Sequence, residues 1–242
     1  MRHFHAGYLA STRHPWPCLC FLLPLLLAYE AGVLWLGGAQ PDVLRNGADA
    51  WLRWGLEVFG LHQLYWAPVL IVVIFLSWSW ARRWDNPARL PVVWRGMVLE
   101  SLLFAGGLFA LSRALAPWLN DLGLRLSAGA DSKGIGPIIT FVGAGIYEEL
   151  LFRLLFFLGL GCLLRLAGVS RLLSALLTMV SSATLFAAAH HLGPYGEAFD
   201  RSVFLFRALA GLYFALLYQL RGFGIAVGAH TGYDLLVGVL MV

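Results

Sequence analysis

Of the chain's 242 residues, 60% are hydrophobic and only 12% charged, and the mean hydropathy is +0.76. This excludes an ordinary soluble domain, whose interior is too small to hide so much apolar side chain, whereas a bilayer solvates it directly. The net charge of +4 does not imply nucleic acid, because the 17 basic residues are scattered between apolar runs and form no stripe for a phosphate backbone. The expected fold class is all-α: a polytopic transmembrane helix bundle of about 7–8 spans, each of roughly 20 apolar residues.

In chain order, a first uncleaved span is predicted over residues 19–36, behind a basic, histidine-bearing N-terminus. Between residues 42 and 61 the charges Arg45, Asp49, Arg53 and Glu57 recur every four positions among tryptophans and leucines, which predicts an interfacial amphipathic helix. Span two runs over 64–80 and stops at Arg82-Arg83, followed by a turn at Trp84-Asp85-Asn86-Pro87. Span three covers 98–115, a polar loop 117–134, and span four begins near 135 and continues to 166. Span five is 172–190, a loop follows over 191–201, and the last two spans are 203–220 and 223–242. Residues 1–134 form N-terminal spans and 135–242 a helical core within one membrane domain.

With the N-terminus inside, nine cations lie on the cytoplasmic side, Arg165 and Arg171 among them, against six outside, and Arg153 and Arg207 fall within spans. That asymmetry follows the positive-inside rule. It puts His190 toward the outer end of span five. A single lysine, Lys133, among the cations points to a GC-rich bacterial codon bias, hence to a multi-pass protein of a bacterial plasma membrane. Cys18, Cys20 and Cys162 lie in or beside apolar segments without zinc or redox spacing and are read as inert thiols.

Ionisable groups at bilayer depth cost several kcal/mol each, so they face a protein interior and carry function. Three sets stand out. In span four, Tyr147-Glu148-Glu149 precedes Arg153; Glu149 and Arg153 are four apart with the acid first, the favourable order for an ion pair on one helix face. Glu148 is rotated about 100° away and has no partner within its own helix, which leaves it for proton transfer. In span five, Phe186 and His190 share a face, while the alanines between them let another helix approach closely. His191 is read as an interfacial residue. In the last span His230 and Asp234 share a face, and Asp234 is placed to accept from one ring nitrogen and set the tautomer of the other. Glu30 and Glu100, isolated in spans one and three, are assigned to helix packing.

Together, Glu-Glu-x-x-x-Arg at 148–153, Phe-x-x-x-His at 186–190 and His-x-x-x-Asp at 230–234 resemble the signature of the CPBP family. These CAAX-protease and bacteriocin-processing proteins, also called Abi, are glutamic-type intramembrane endopeptidases. The resemblance covers roughly residues 135–242 and none of the first 130. It implies that Glu148 and His190 activate a water for attack on a peptide carbonyl, and that His230 and residue 234 stabilise the oxyanion. Glu149, Arg153 and Phe186 would support them. The eukaryotic type II CAAX prenyl endopeptidase has asparagine at the last position, where this chain has Asp234. An ionised aspartate cannot donate to an oxyanion, so Asp234 is either protonated or orients His230.

The implied partner is a membrane-anchored protein or peptide substrate, with no cofactor and no metal. Three other readings compete: a zinc-dependent membrane protease using Glu148, His190, His230 and Asp234, although no His-Glu-x-x-His occurs; a non-catalytic membrane scaffold or immunity protein; and a transporter with the buried acids as a proton relay.

Overall fold

The computed structural model describes residues 7–82, 89–121, 134–193 and 196–240, with backbone alone for 118–121 and 239–240. The turn expected at 84–87, most of the loop expected over 117–134, and Arg83, Arg125 and Lys133 lie outside the described residues. The described chain is helical and contains no strand. Its helices are α1 (Tyr8–Ser11), α2 (Pro15–Gly37), α3 (Gly47–Val58), α4 (Trp66–Ala81) and α5 (Leu90–Asp121), followed by α6 (Ile135–Glu149), α7 (Phe156–Leu166), α8 (Arg171–Ala189), α9 (Arg201–Arg221) and α10 (Phe223–Leu240). Between α6 and α7, Leu150–Leu155 form a π-helical turn, so one continuous rod covers the whole of predicted span four.

Among the described residues, four helices are long and apolar enough to cross a membrane: Pro15–Gly37, Leu90–Pro117, Arg171–Ala189 and Arg201–Arg221; Trp66–Ala81 is apolar but shorter. This is a multi-pass membrane protein. The expected seven or eight spans exceed the four that meet this measure. Helix α10 sits in the middle of the bundle and packs against α2, α5, α6 and α9. Around it Leu22, Ile71, Phe75, Met97, Ile146, Ile225 and Val227 are fully buried, while Leu103, Leu158 and Leu172 are at least 70% exposed on the outside. An apolar exterior around a packed interior is the arrangement a bilayer selects.

Small residues set how closely α10 approaches its neighbours. A β-carbon on Gly145 of α6 would lie 2.1 Å from Thr231 Oγ1 and 2.9 Å from the Thr231 backbone nitrogen, and one on Gly228 would lie 2.3 Å from Ser101 Oγ. Only glycine admits that contact. It brings the stretch of α10 carrying His230 against the end of α6 carrying the two glutamates.

Helix α3 departs from the expected interfacial helix in how it faces. Part of the charged stripe turns inward: Asp49 is fully buried and Arg45, just before the helix, nearly so, whereas Glu57 is exposed along with Trp54, Val58 and Phe59. Ala48 and Leu52 share the buried side with Asp49, and the exposed tryptophan and valine suit a lipid or interfacial setting. The inward groups have partners because α2 places Glu30 opposite Arg45 and Arg53, and the Tyr29 and Tyr147 hydroxyls donate to Asp49 and Glu30. Asn46 caps this helix by accepting from the Asp49 backbone N–H.

Candidate active site

Helices α6, α8 and α10 bring the three sequence sets together. Glu148 and Glu149 end α6 where the backbone widens into the π turn; such turns are frequent at functional sites. Glu149 keeps its expected partner, with Arg153 Nη1 3.1 Å from Glu149 Oε1 and neither side chain exposed. Glu148, unpartnered within its own helix, faces the other two sets: its Oε2 lies 3.9 Å from His190 Nε2 and 3.7 Å from His230 Nε2.

The imidazoles are each held by their other nitrogen. His190 Nδ1 lies 2.8 Å from the Phe186 carbonyl one turn back. A carbonyl only accepts, so Nδ1 carries a proton and the neutral ring presents a lone pair at Nε2 toward Glu148. His230 Nδ1 lies 2.8 Å from Glu149 Oε1 and donates to that carboxylate. Its Nε2 then looks toward Glu148 and toward Asp234 Oδ2, which is 3.5 Å away. The sequence reading gave Asp234 the task of fixing the His230 tautomer. The short contact instead comes from Glu149, on another helix, and Asp234 sits beside the nitrogen that faces Glu148.

Aromatic rings wall this cluster. The Arg153 guanidinium lies 4.4 Å from the centre of the Phe186 ring and 5.8 Å from that of Phe214, and its Nη2 donates to the Gly211 carbonyl at 3.0 Å. Arg153 Nε and Nη1 and Glu149 Oε2 are buried without a hydrogen bond among the described residues, so ring faces and the adjacent carboxylate compensate the charge instead. Phe186 also touches both imidazoles, at 5.0 Å from His190 and 5.8 Å from His230.

Sequence reasoning missed Phe214, which stacks on His230 at 4.4 Å with the rings 13° apart. It lies on α9, a span without a motif, where nothing local separates it from any other apolar residue. Also missed were Trp51 of α3 and Glu197. With Gly47, Ala48, Phe152, Ala189 and Leu192 they line a cleft of about 460 Å³ that exposes Glu148 and His190. The Glu197 backbone N–H donates to the His190 carbonyl at 2.8 Å. Its carboxyl pairs with Arg207 at 2.9 Å, and that bond holds it below the ordinary carboxylate range. His191 turns away from the cluster, against Phe199 and Phe204.

The isolated acids have packing partners. Glu30 meets Arg45 at 3.3 Å and Arg53 at 3.0 Å, and accepts from the Tyr147 hydroxyl at 2.6 Å. Asp49 lies 2.7 Å from each of the same arginines and accepts from Tyr29 at 2.8 Å. Glu100 pairs with Arg221 and accepts from Tyr8 at 2.7 Å. Among the described residues no three His, Cys, Asp or Glu side chains are arranged to hold a metal ion.

A family model described as Type II CAAX prenyl endopeptidase Rce1-like matches residues 133–236. That segment is similar to the CPBP, or CAAX protease, family. The matched CPBP segment contains all three polar sets and excludes α1 to α5. No curated protein and no solved structure matches the chain. The family is one of membrane proteases, and it implies intramembrane protease activity for this chain.

Proposed function

We propose that this chain is a glutamic-type intramembrane endopeptidase that hydrolyses a peptide bond in or near the membrane segment of an anchored protein or peptide. The reading rests on one observation: Glu148, His190 and His230, from three separate helices, converge at 3.7–3.9 Å beside a cleft. Atoms 3.9 Å apart are too distant to hydrogen-bond directly, yet close enough to hold one oxygen between them. A water held by Glu148 and His190 Nε2 can lose a proton to that pair as it attacks the carbonyl. His230, with Nδ1 committed to Glu149, offers its Nε2 face to the oxygen on which charge develops. It donates there when the ring is protonated. Asp234, protonated, is a second donor at the same face; ionised, it stabilises the His230 cation instead. The proton taken by the Glu148–His190 pair then passes to the leaving amine, completing hydrolysis.

Under the topology above, the cleft opens toward the outer side of a bacterial plasma membrane. The test is to incubate purified protein in bilayers with candidate membrane-anchored substrates from its own genome neighbourhood. Wild type yields a cut product and Glu148→Gln does not. If Glu148→Gln and His190→Ala both retain full biological activity, the scaffold or immunity reading replaces catalysis.

A further inference from the structure

We infer that the groove between α7 and α8, on the far side of α8's N-terminus from the protease cleft, is a binding site for the phosphate and glycerol ester region of an anionic phospholipid. The groove is open and is lined by Phe157, Gly161, Arg165, Arg171, Ser174, Ala175, Thr178 and Gln219. None of these residues lines the cleft that exposes Glu148 and His190.

Depth along α8 orders its chemistry. Arg165 stands in the last turn of α7, with its Nη1 donating to the Val169 carbonyl at 2.6 Å, and Arg171 begins α8, so both side chains line the mouth, where a membrane-crossing helix meets the bilayer surface. Two cations there match a phosphate diester. Further in, Ser174 is already satisfied by the Gly161 carbonyl. Thr178, two turns below Arg171, is 2% exposed, lines the groove, and has no hydrogen-bond partner for its Oγ1 among the described residues. A buried hydroxyl without a partner is costly, and its proton needs an acceptor. A glycerol ester carbonyl, lying just inward of its phosphate, is such an acceptor. Deeper along the same two helices, Leu158, Leu177 and Val180 are 42–70% exposed and offer a surface for acyl chains. Phosphate outside, ester in the middle and hydrocarbon beneath is also the order of a lipid in its leaflet.

The site is independent of the protease reading. Its test uses the full chain in phosphatidylcholine nanodiscs doped with phosphatidylglycerol, with lipid retained by the purified protein read by native mass spectrometry. Wild type should enrich phosphatidylglycerol over phosphatidylcholine. The double variant Arg165→Gln/Arg171→Gln should lose that preference, by roughly fivefold per arginine. Arg165→Lys/Arg171→Lys should keep most of it, which separates lost charge from misfolding. Thr178→Val should weaken retention of both lipids alike, because the ester is common to them. A control double variant, Arg82→Gln/Arg95→Gln, should leave the preference intact. Equal retention of the two lipids by wild type overturns the proposal, as does an equal loss in the control variant, which would mean surface charge alone. Displacement of the lipid by millimolar inorganic phosphate would show that a free anion, and not a lipid, is the ligand, and would overturn it too.

Discussion

Two buried polar clusters meet at adjacent residues of α6 yet are built on opposite plans. In the first, reached through Tyr147, the carboxylates of Glu30 and Asp49 face the guanidinium groups of Arg45 and Arg53 at 2.7–3.3 Å, two acids against two arginines. In the second, reached through Glu148, the acids Glu148, Glu149 and Asp234 face a single guanidinium, Arg153, and two imidazoles. A neutralised set has no reason to move a proton and serves to hold α2, α3 and α6 together. A set with surplus carboxylate and titratable rings can exchange protons with whatever enters the adjoining cleft. Burial alone therefore does not mark an active site; the balance of charge and the presence of histidine do.

The comparison can be broken by mutation. The largest effect is expected at the second cluster. His190→Ala should lower the cleavage rate by about 10²–10⁴-fold, the range of general acid–base catalysis. If His190 and Glu148 act on one water, adding Glu148→Gln to it should cost little more, since groups acting as a unit are non-additive. Rates that multiply in the double variant would separate the two residues. At the first cluster, Arg53→Gln leaves buried Asp49 short of a partner and should cost about 3–5 kcal/mol of stability, read by thermal or denaturant unfolding. Cleavage per folded molecule should change much less. If instead turnover collapses while stability holds, the division of labour is wrong.

Smaller effects sharpen the boundary. Phe214→Leu removes the ring stacked on His230 and should slow cleavage about tenfold, with a stability loss of about 1 kcal/mol. An unchanged rate would mean that Glu149 alone orients His230. The smallest effect concerns Glu197. Its folded-state carboxyl titrates below the ordinary range because of Arg207. The pair's contribution is therefore present above the unfolded-state value and is lost as pH falls through the folded-state one. The carboxylate is 59% exposed, so that contribution is at most a few tenths of a kcal/mol. Glu197→Gln should melt slightly below wild type at pH 7, and the difference should shrink as pH falls below the carboxylate reference value of about 4.3.

How far the site was legible follows from the range of each interaction. Glu149 with Arg153, and Phe186 with His190, are contacts one turn apart on a helix, so spacing alone revealed them. The long rod around span four was also legible as an apolar run, although its π turn was not, because Leu150–Leu155 read like any leucine-rich helix. The partner of His230 was misassigned. Asp234 is nearer in sequence, but the close approach of α10 to α6 at Gly145 and Thr231 puts Glu149 on Nδ1 first. The inward charge of α3 was hidden for the same reason: the periodicity shows that a polar stripe exists, and only the position of Glu30 and Tyr147 decides where it points.

The most direct measurement compares Glu148→Gln and Arg53→Gln side by side for melting temperature and for cleavage of a membrane-anchored substrate in bilayers. The account predicts that Glu148→Gln melts like wild type and releases no product, while Arg53→Gln melts lower and its folded fraction still cuts. Product formed by Glu148→Gln at the wild-type rate would contradict it.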